Sequence, residues 1–242
     1  MSNSTTPKLL AEFIGTFALV FIGAGAASIV GGGAGLGGIT AVAFAHGLTV
    51  MVFVCAYGSI SGGHVNPAVT VGVLAAGAIT AAEAVGYIVC QIAGGVAAAL
   101  LLRIVLGGVA TGLGTPELAH GLVIGGTTVT ITPAIGFVVE AVLAFFLVTV
   151  VLSTAVAGRA AHLAPVAIGL TLVFNILMGG ALTGAAFNPA RALGPMIVTG
   201  NLSDAWLYGL APVVGAIIAA VVHMGLSRLA YERPAAAAAP AE

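Results

Sequence analysis

The fold is decided by residues 61–70, which read Ser-Gly-Gly-His-Val-Asn-Pro-Ala-Val-Thr, and by a second Asn-Pro-Ala triplet, Asn188-Pro189-Ala190. The first copy of the triplet is Asn66-Pro67-Ala68, and each copy ends a polar, glycine-rich break in an apolar stretch. Asn is a favoured N-cap and Pro is favoured at the first helical position, so each triplet predicts the start of a helix. Two such starts in corresponding halves of a membrane protein indicate a site where half-helix ends meet.

The composition places the chain in a membrane. Of its 242 residues, 60% are hydrophobic and 5% are charged, and the mean hydropathy is +1.23. A soluble domain of this length would present far more charge to water. The net charge of −1 gives no indication of a nucleic-acid partner. We therefore expect an integral, multi-pass membrane protein surrounded by the lipid bilayer.

Six segments are long and apolar enough to cross the bilayer, which needs about 20 residues per helix. They are residues 9–30, 39–58, 82–106, 133–155, 162–180 and 205–229. Two further apolar pieces, residues 67–76 and 189–198, are too short, because a helix of about ten residues rises only about 15 Å. Entering from opposite faces, the two would together cover the hydrocarbon core of about 30 Å. The second piece is expected to weaken near its end, at Pro195.

The chain also repeats. Gly47-Leu48-Thr49-Val50 lies as far before the first triplet as Gly169-Leu170-Thr171-Leu172 lies before the second. Three spans and one half-helix per copy give the two copies opposite topologies. The predicted fold class is therefore an all-α membrane protein with six transmembrane helices and two re-entrant half-helices in an inverted repeat.

Together these features resemble the aquaporin, or major intrinsic protein, family over about residues 8–230. The resemblance is carried by Ala11-Glu12-Phe13-Ile14-Gly15-Thr16, residues 61–70, Gly86-Tyr87, Gln91 and Asn188-Pro189-Ala190-Arg191. It implies a single aquaporin-like channel domain over residues 1–232, with a first repeat at about 8–106 and a second at about 133–230. The Pro/Ala-rich tail, residues 233–242, is expected to be disordered. The family further implies a passive water channel rather than an enzyme, built as a homotetramer without cofactor or metal.

The paired half-helices suggest how such a pore would select. Each half-helix N-terminus carries about half a positive charge from its aligned peptide dipoles, so two such ends at mid-membrane oppose cations, protons included. The side-chain amides of Asn66 and Asn188 can donate hydrogen bonds into the lumen while their oxygens cap the helices. A water held between the two amides would be unable to pass a proton along the file. We therefore expect neutral solutes to pass and ions to be excluded.

A selectivity filter is predicted around Arg191, since an unpaired charge in lipid is costly and must face water or a partner. In the family this Arg lines the outer constriction, and local alignment adds His46, Ile176 and Ala185. The combination resembles plant tonoplast intrinsic proteins, several of which conduct ammonia, urea or peroxide as well as water. His120, in the long outer loop, is a candidate fifth member; the alternative is an exposed loop histidine.

Two alternatives to a channel for water and ammonia stay open. One is a glycerol- or urea-type facilitator, although glycerol facilitators carry Asp where this chain has Ala192. The other is a proton-coupled carrier, because the intramembrane carboxylates Glu12 and Glu140 are functional candidates by default. Their symmetric positions favour a different role, which is to brace the loops that lead to the triplets. His64 is expected to support the first of these loops.

The basic residues near the span ends predict the orientation. Lys8, Arg159, Arg228 and Arg233 fall on one side of the six-span arrangement. Only Arg103, and Arg191 beside the second triplet, fall towards the other. Both termini are therefore expected on the cytoplasmic side of the cell (plasma) membrane.

Overall fold

The computed structural model describes residues 5–30 and 36–231. In chain order the helices are α1 (Thr5–Ile29), α2 (Leu36–Ser61), α3 (Pro67–Ala75), α4 (Ala81–Val105), α5 (Pro133–Val156), α6 (Ala164–Thr183), α7 (Pro189–Thr199) and α8 (Ala205–Tyr231). All except α3 and α7 are long and apolar enough to cross a membrane. The six predicted spans are therefore confirmed to within a few residues at each end. The predicted disordered tail, residues 233–242, lies outside the described residues.

The half-helices α3 and α7 begin at the two triplets, as predicted. Asn66 and Asn188 adopt extended backbone, with φ of −157° and −149°, immediately before the first helical residue, which is proline in both cases. The side-chain oxygen of Asn66 accepts from the Ala68 N–H at 2.8 Å, and that of Asn188 accepts from the Ala190 N–H at 3.0 Å. Each Asn therefore satisfies an N–H that the first helical turn leaves without a partner.

The end of α7 lies one residue beyond the predicted end. The helix passes through Pro195 and stops at Gly200, whose φ of 79° is left-handed and favours glycine. The Thr199 hydroxyl donates to the Pro195 carbonyl at 2.9 Å, so this carbonyl in the last turn of the helix has a hydrogen-bond partner. Pro195 therefore does not end the helix, although it supplies no N–H to the carbonyl of Arg191.

The packing follows the inverted repeat. In the first half α1 packs on α4, and in the second half α5 packs on α8 in the same way. Helices α2 and α6 pack on one another, and each half-helix contacts the last span of the other half, α3 with α8 and α7 with α4. The two half-helices are therefore enclosed by spans from both repeats.

Glycines allow these helices to approach closely. A Cβ atom on Gly47 would lie 2.5 Å from the Gly169 carbonyl oxygen, where α2 meets α6. A Cβ on Gly215 would overlap the Ala141 carbonyl where α8 meets α5. The high glycine content, 36 residues, thus includes contacts in which the backbones of two spans touch.

Two spans carry π-helical segments that the sequence did not predict. One is Leu19–Ala24, in the middle of α1, and the other is Leu152–Val156, at the end of α5. Such segments are short departures from α-helical geometry and are frequent at functional sites.

The long segment between α4 and α5, predicted as a loop, contains local structure. A 3₁₀ turn covers Gly112–Gly114, and strands β1 (Leu122–Ile124) and β2 (Thr127–Val129) form an antiparallel hairpin. Gly125 and Gly126, both with positive φ, make its two-residue turn. Within residues 5–30 and 36–231 the fold is all-α apart from this surface hairpin.

Candidate functional site

The two Asn side chains tie the halves of the molecule together. The Asn66 Nδ2 donates to the Phe187 carbonyl at 3.0 Å, and the Asn188 Nδ2 donates to the Val65 carbonyl at 2.9 Å. Each amide nitrogen therefore bonds the residue that precedes the opposite triplet, while each amide oxygen caps its own half-helix. A side-chain amide carries two hydrogens, so one donor on each Asn is left for the adjoining cavity.

The residues that accept these bonds have unusual backbone conformations. Val65 has a φ of 43° and Phe187 a φ of 31°, in the left-handed region that costs a residue other than glycine about 1–2 kcal/mol. Such strain persists only where the surroundings hold it. Here the backbone N–H of Val65 donates to Glu12 and that of Phe187 donates to Glu140.

Glu12 is fully buried and accepts four hydrogen bonds. Its Oε1 accepts from the Ser61 hydroxyl at 2.6 Å and the His64 N–H at 2.9 Å. Its Oε2 accepts from the Val65 N–H and the Gln91 Nε2, both at 2.7 Å. The carboxylate thus fixes the backbone of the loop that leads into α3.

Glu140 repeats this arrangement in the second half. It is also fully buried, and its Oε1 accepts from the Thr183 hydroxyl at 2.6 Å and the Ala186 N–H at 3.0 Å. Its Oε2 accepts from the Phe187 N–H. This is the geometry that the bracing hypothesis requires of both carboxylates.

Two tyrosines complete the bracing, and sequence analysis did not assign them this role. The Tyr87 hydroxyl donates to the Ser61 carbonyl at 2.8 Å, and the Tyr208 hydroxyl donates to the Thr183 carbonyl at 2.6 Å. The sequence did indicate the groups that the tyrosines bind, because Ser61 and Thr183 lie at equal distances before their triplets. Hydroxyl residues at matched positions of a repeat were therefore candidates for matched hydrogen bonds.

His64 lies beside the first of these loops, where its predicted supporting role would place it. Its Nδ1 is 3.1 Å from the Thr70 hydroxyl, and its ring meets the edge of Tyr87 with centroids 5.2 Å apart. The Thr70 hydroxyl also lies 3.1 Å from the Asn66 carbonyl. His64 is therefore linked through Thr70 to the first turn of α3.

Arg191 is buried, and two groups hold its guanidinium. Its Nε donates to the His46 Nε2 at 3.2 Å, and its Nη1 donates to the Gly114 carbonyl at 2.8 Å. The His46 Nδ1 is 2.9 Å from the Val42 carbonyl, which can only accept, so the imidazole proton is on Nδ1 and Nε2 is the acceptor for Arg191. Gly114 was missed by sequence analysis, because a backbone carbonyl carries no residue-type signal.

Two cavities meet at Arg191. The inner one is lined by polar groups that include His46, Asn66 and Asn188, and elsewhere by apolar side chains such as Leu147. The outer cavity has an apolar wall that includes Ile176, and it is also lined by Val42, Thr115 and Pro116. Arg191 lines both cavities, so any solute that passes from one to the other must pass the guanidinium.

The remaining predicted filter residues are placed differently. Ala185 is buried, with a φ of 42° and its N–H bonded to the Thr183 hydroxyl, and it does not line either cavity. His120 is exposed and lines a separate surface depression with Glu117 and Asp204. The structure therefore does not bring His120 to Arg191 and His46; the Gly114 carbonyl contacts the guanidinium from that loop instead.

The comparisons with known proteins agree with the fold described above. The chain belongs to the major intrinsic protein family, whose model matches residues 1–223. It is 40% identical to Aquaporin TIP4-4 of Zea mays over 225 residues, covering 90% of this chain and 85% of that one. It is 41% identical to Glycerol uptake facilitator protein-like 6 of Lactiplantibacillus plantarum over 222 residues, covering 88% of this chain and 94% of that one.

A solved structure shows the same fold. The aquaglyceroporin from Plasmodium falciparum superposes with a TM-score of 0.77 at 23% sequence identity, covering 94% of this chain and all of that one. The family match and the relatives described above confirm the resemblance to the aquaporins that the motifs predicted. The protein is an integral, multi-pass member of a family of channels for neutral solutes.

Proposed function

We propose that this protein is a passive channel that conducts water and small neutral solutes, ammonia included, and excludes protons and ions. The observation that carries the proposal is the pair of opposed half-helix ends, each capped by an Asn that retains a free amide hydrogen beside the inner cavity. Asn66 and Asn188 would each donate to the oxygen of a passing water. A water so oriented cannot accept a proton from its neighbour, and the two helix dipoles add a barrier to cations.

The groups around Arg191 favour small solutes with a lone pair. A guanidinium has five N–H donors, and one bond each to His46 and Gly114 leaves three for a solute. The His46 Nε2 acceptor is occupied by the Arg191 Nε, and the nearby wall contributed by Ile176 is apolar. The filter therefore presents donors against an apolar wall, which suits water and ammonia better than a cation that must donate hydrogen bonds.

Flux measurements on reconstituted vesicles test the proposal. Stopped-flow light scattering would report water, and an internal pH dye would report ammonia entry, in wild-type protein and in His46→Phe. We expect both fluxes above the lipid background, with the ammonia flux lower in His46→Phe because phenyl cannot accept from the Arg191 Nε. Ammonia flux at the background level would make the protein a strict water channel and would contradict this assignment of the filter.

A glycerol facilitator is the second candidate. It is favoured by the 41% identity to a relative named as a glycerol uptake facilitator-like protein, and by the apolar Ile176 in the wall of the cavity beside Arg191. Glycerol needs a wider passage than water, so its flux discriminates the two candidates directly. We expect slow glycerol entry in wild-type protein and faster entry in Arg191→Ala, in which the guanidinium no longer occupies the passage. Glycerol entry as fast as water flow in wild-type protein would favour the facilitator.

The carrier alternative has less support. Glu12 and Glu140 are both completely buried, and their oxygens are occupied by hydrogen bonds to the loops. A carboxylate that carries protons must exchange them with water during transport. We therefore propose that both residues brace the half-helices.

The assembly and orientation are also proposals. Large apolar side chains of α2 and α6, among them Val52, Leu170 and Phe174, are exposed in the single chain, as lipid or further copies of the chain would require. We propose a homotetramer in the cell membrane, with each chain containing its own pore and both termini in the cytoplasm. Cross-linking in membranes would show the number of chains, and accessibility labelling of added terminal tags would show the orientation.

A further inference from the structure

We propose that the π-helical segment of α1, Leu19–Ala24, positions the Arg191 guanidinium by supporting both groups that hold it. This inference rests on the proposed function, because it makes solute selectivity depend on where the guanidinium lies. Neither Gly23 nor Ala24 contacts Arg191 through a hydrogen bond; each acts through a neighbour of Arg191. They are positioning residues.

The first support is the contact between Gly23 and His46. A Cβ atom on Gly23 would lie 2.5 Å from the imidazole Cδ2 and 2.6 Å from Nε2, so the ring rests directly against the backbone of the π segment. Nε2 is also the atom that accepts from the Arg191 Nε. The Val42 carbonyl holds the opposite ring nitrogen. Gly23 therefore limits how far the imidazole can move away from the lumen. The hydrogen bond from Arg191 to the imidazole is held in place in the same way.

The second support is the contact between Ala24 and Gly114. A Cβ atom on Gly114 would overlap the Ala24 carbonyl oxygen and lie 2.8 Å from the Ala24 Cα, and Gly114 has a left-handed φ of 67°. Only glycine can therefore occupy this position without displacing the loop from α1. The carbonyl of this same residue accepts from the Arg191 Nη1.

The π geometry explains why adjacent residues of one helix reach both supports. Hydrogen bonds in a π segment join residues five apart, which brings Leu19 and Ala24 to one side of α1. Both are almost fully buried, and Leu19 lines the inner cavity. The last two residues of the same segment, Gly23 and Ala24, lie against His46 and Gly114.

The test is Gly23→Ala, with Gly25→Ala as the matched control in the same helix. The new methyl at residue 23 overlaps the imidazole and must push it towards the lumen, whereas a Cβ on Gly25 meets only the Leu102 Cδ2, at 3.1 Å. We expect Gly23→Ala to lower the ratio of ammonia to water permeability about tenfold, the factor that corresponds to one hydrogen bond to a charged group. Gly25→Ala should leave this ratio at the wild-type value.

A double-mutant cycle separates positioning from a general loss of structure. If Gly23 acts through His46, then Gly23→Ala introduced into a His46→Ala background should change the permeability ratio no further. An equal effect of Gly23→Ala in both backgrounds, or a wild-type ratio in Gly23→Ala alone, would overturn the proposal.

A second readout does not depend on transport. In ¹⁵N-histidine-labelled protein, the His46 ring signals, assigned by their loss in His46→Ala, should show a neutral ring with the proton on Nδ1. The Nε2 signal should shift in Gly23→Ala and stay unchanged in Gly25→Ala. An unchanged signal in Gly23→Ala would overturn the positioning role, whatever the fluxes. Absent flux in wild-type protein, with the expected spectral shift, would instead refute only the proposed function.

Discussion

The bracing role of Glu140 makes a quantitative prediction for Glu140→Gln. Glutamine is similar in shape, but its Nε2 cannot accept, so it cannot serve all three donors that Glu140 now serves. The Thr183 hydroxyl can rotate to accept from the new amide, whereas the backbone N–H of Ala186 or Phe187 loses its acceptor. An orphaned buried N–H, together with the lost charge assistance, costs about 2–4 kcal/mol of folding free energy. For a chain of this size, that lowers the melting temperature by about 5–15 °C.

The assay is thermal unfolding in detergent, with Glu83→Gln as the control. Glu83 pairs with Lys8 at 2.7 Å, but both side chains are more than a quarter exposed, and such surface pairs contribute about 0–1 kcal/mol. Glu12→Gln should resemble Glu140→Gln, because it also leaves one loop N–H without an acceptor. The reasoning would be refuted if Glu140→Gln were as stable as wild-type protein. It would equally fail if wild-type protein accumulated solute against a gradient and Glu140→Gln or Glu12→Gln lost only that activity.

Two further predictions concern packing and the tyrosine braces. Gly215→Ala should destabilise the protein strongly, because its methyl would overlap the Ala141 carbonyl. Gly209→Ala should not, because among the described residues only the adjoining backbone of its own helix lies within 4 Å of the place where its Cβ would be. Thermal melting curves of the two variants, measured in parallel, would show the difference. Tyr208→Phe should cost about 1–2 kcal/mol, since it removes the buried bond to the Thr183 carbonyl, and denaturant or thermal unfolding that shows no loss would contradict the brace.

The spans and half-helices could be predicted because their signals are strong and local. Apolar runs of about 20 residues are set by bilayer thickness, and Asn followed by Pro marks a helix start wherever it caps an apolar piece. The π segment Leu19–Ala24 could not be predicted, because its composition does not differ from that of its flanking α-helix. The hairpin of β1 and β2 had a signal that was missed, because Gly125-Gly126 between two short β-prone runs is typical of a two-residue hairpin turn.

The candidate site could be predicted only where a side chain carries the chemistry. Arg191 and His46 do meet, as the alignment to the family suggested. The other support of Arg191 is the carbonyl of Gly114, and any residue supplies a carbonyl, so nothing in the sequence singled it out. His120 was a candidate for that position because it lies in the same loop. Which residue of a long loop contacts the guanidinium depends on the path of the loop backbone, which the sequence does not show. His120 lies at the surface instead.

The central claim is that water passes while protons do not, and a single preparation can test both. Vesicles containing the purified protein would be given an osmotic step and, separately, a pH step with a valinomycin potassium clamp, while an internal dye reports proton entry. The account predicts water flow many times that of protein-free vesicles, with proton entry at the protein-free rate. Proton entry that rises with the amount of reconstituted protein would contradict the role assigned to Asn66 and Asn188, and absence of water flow in folded protein would contradict the channel itself.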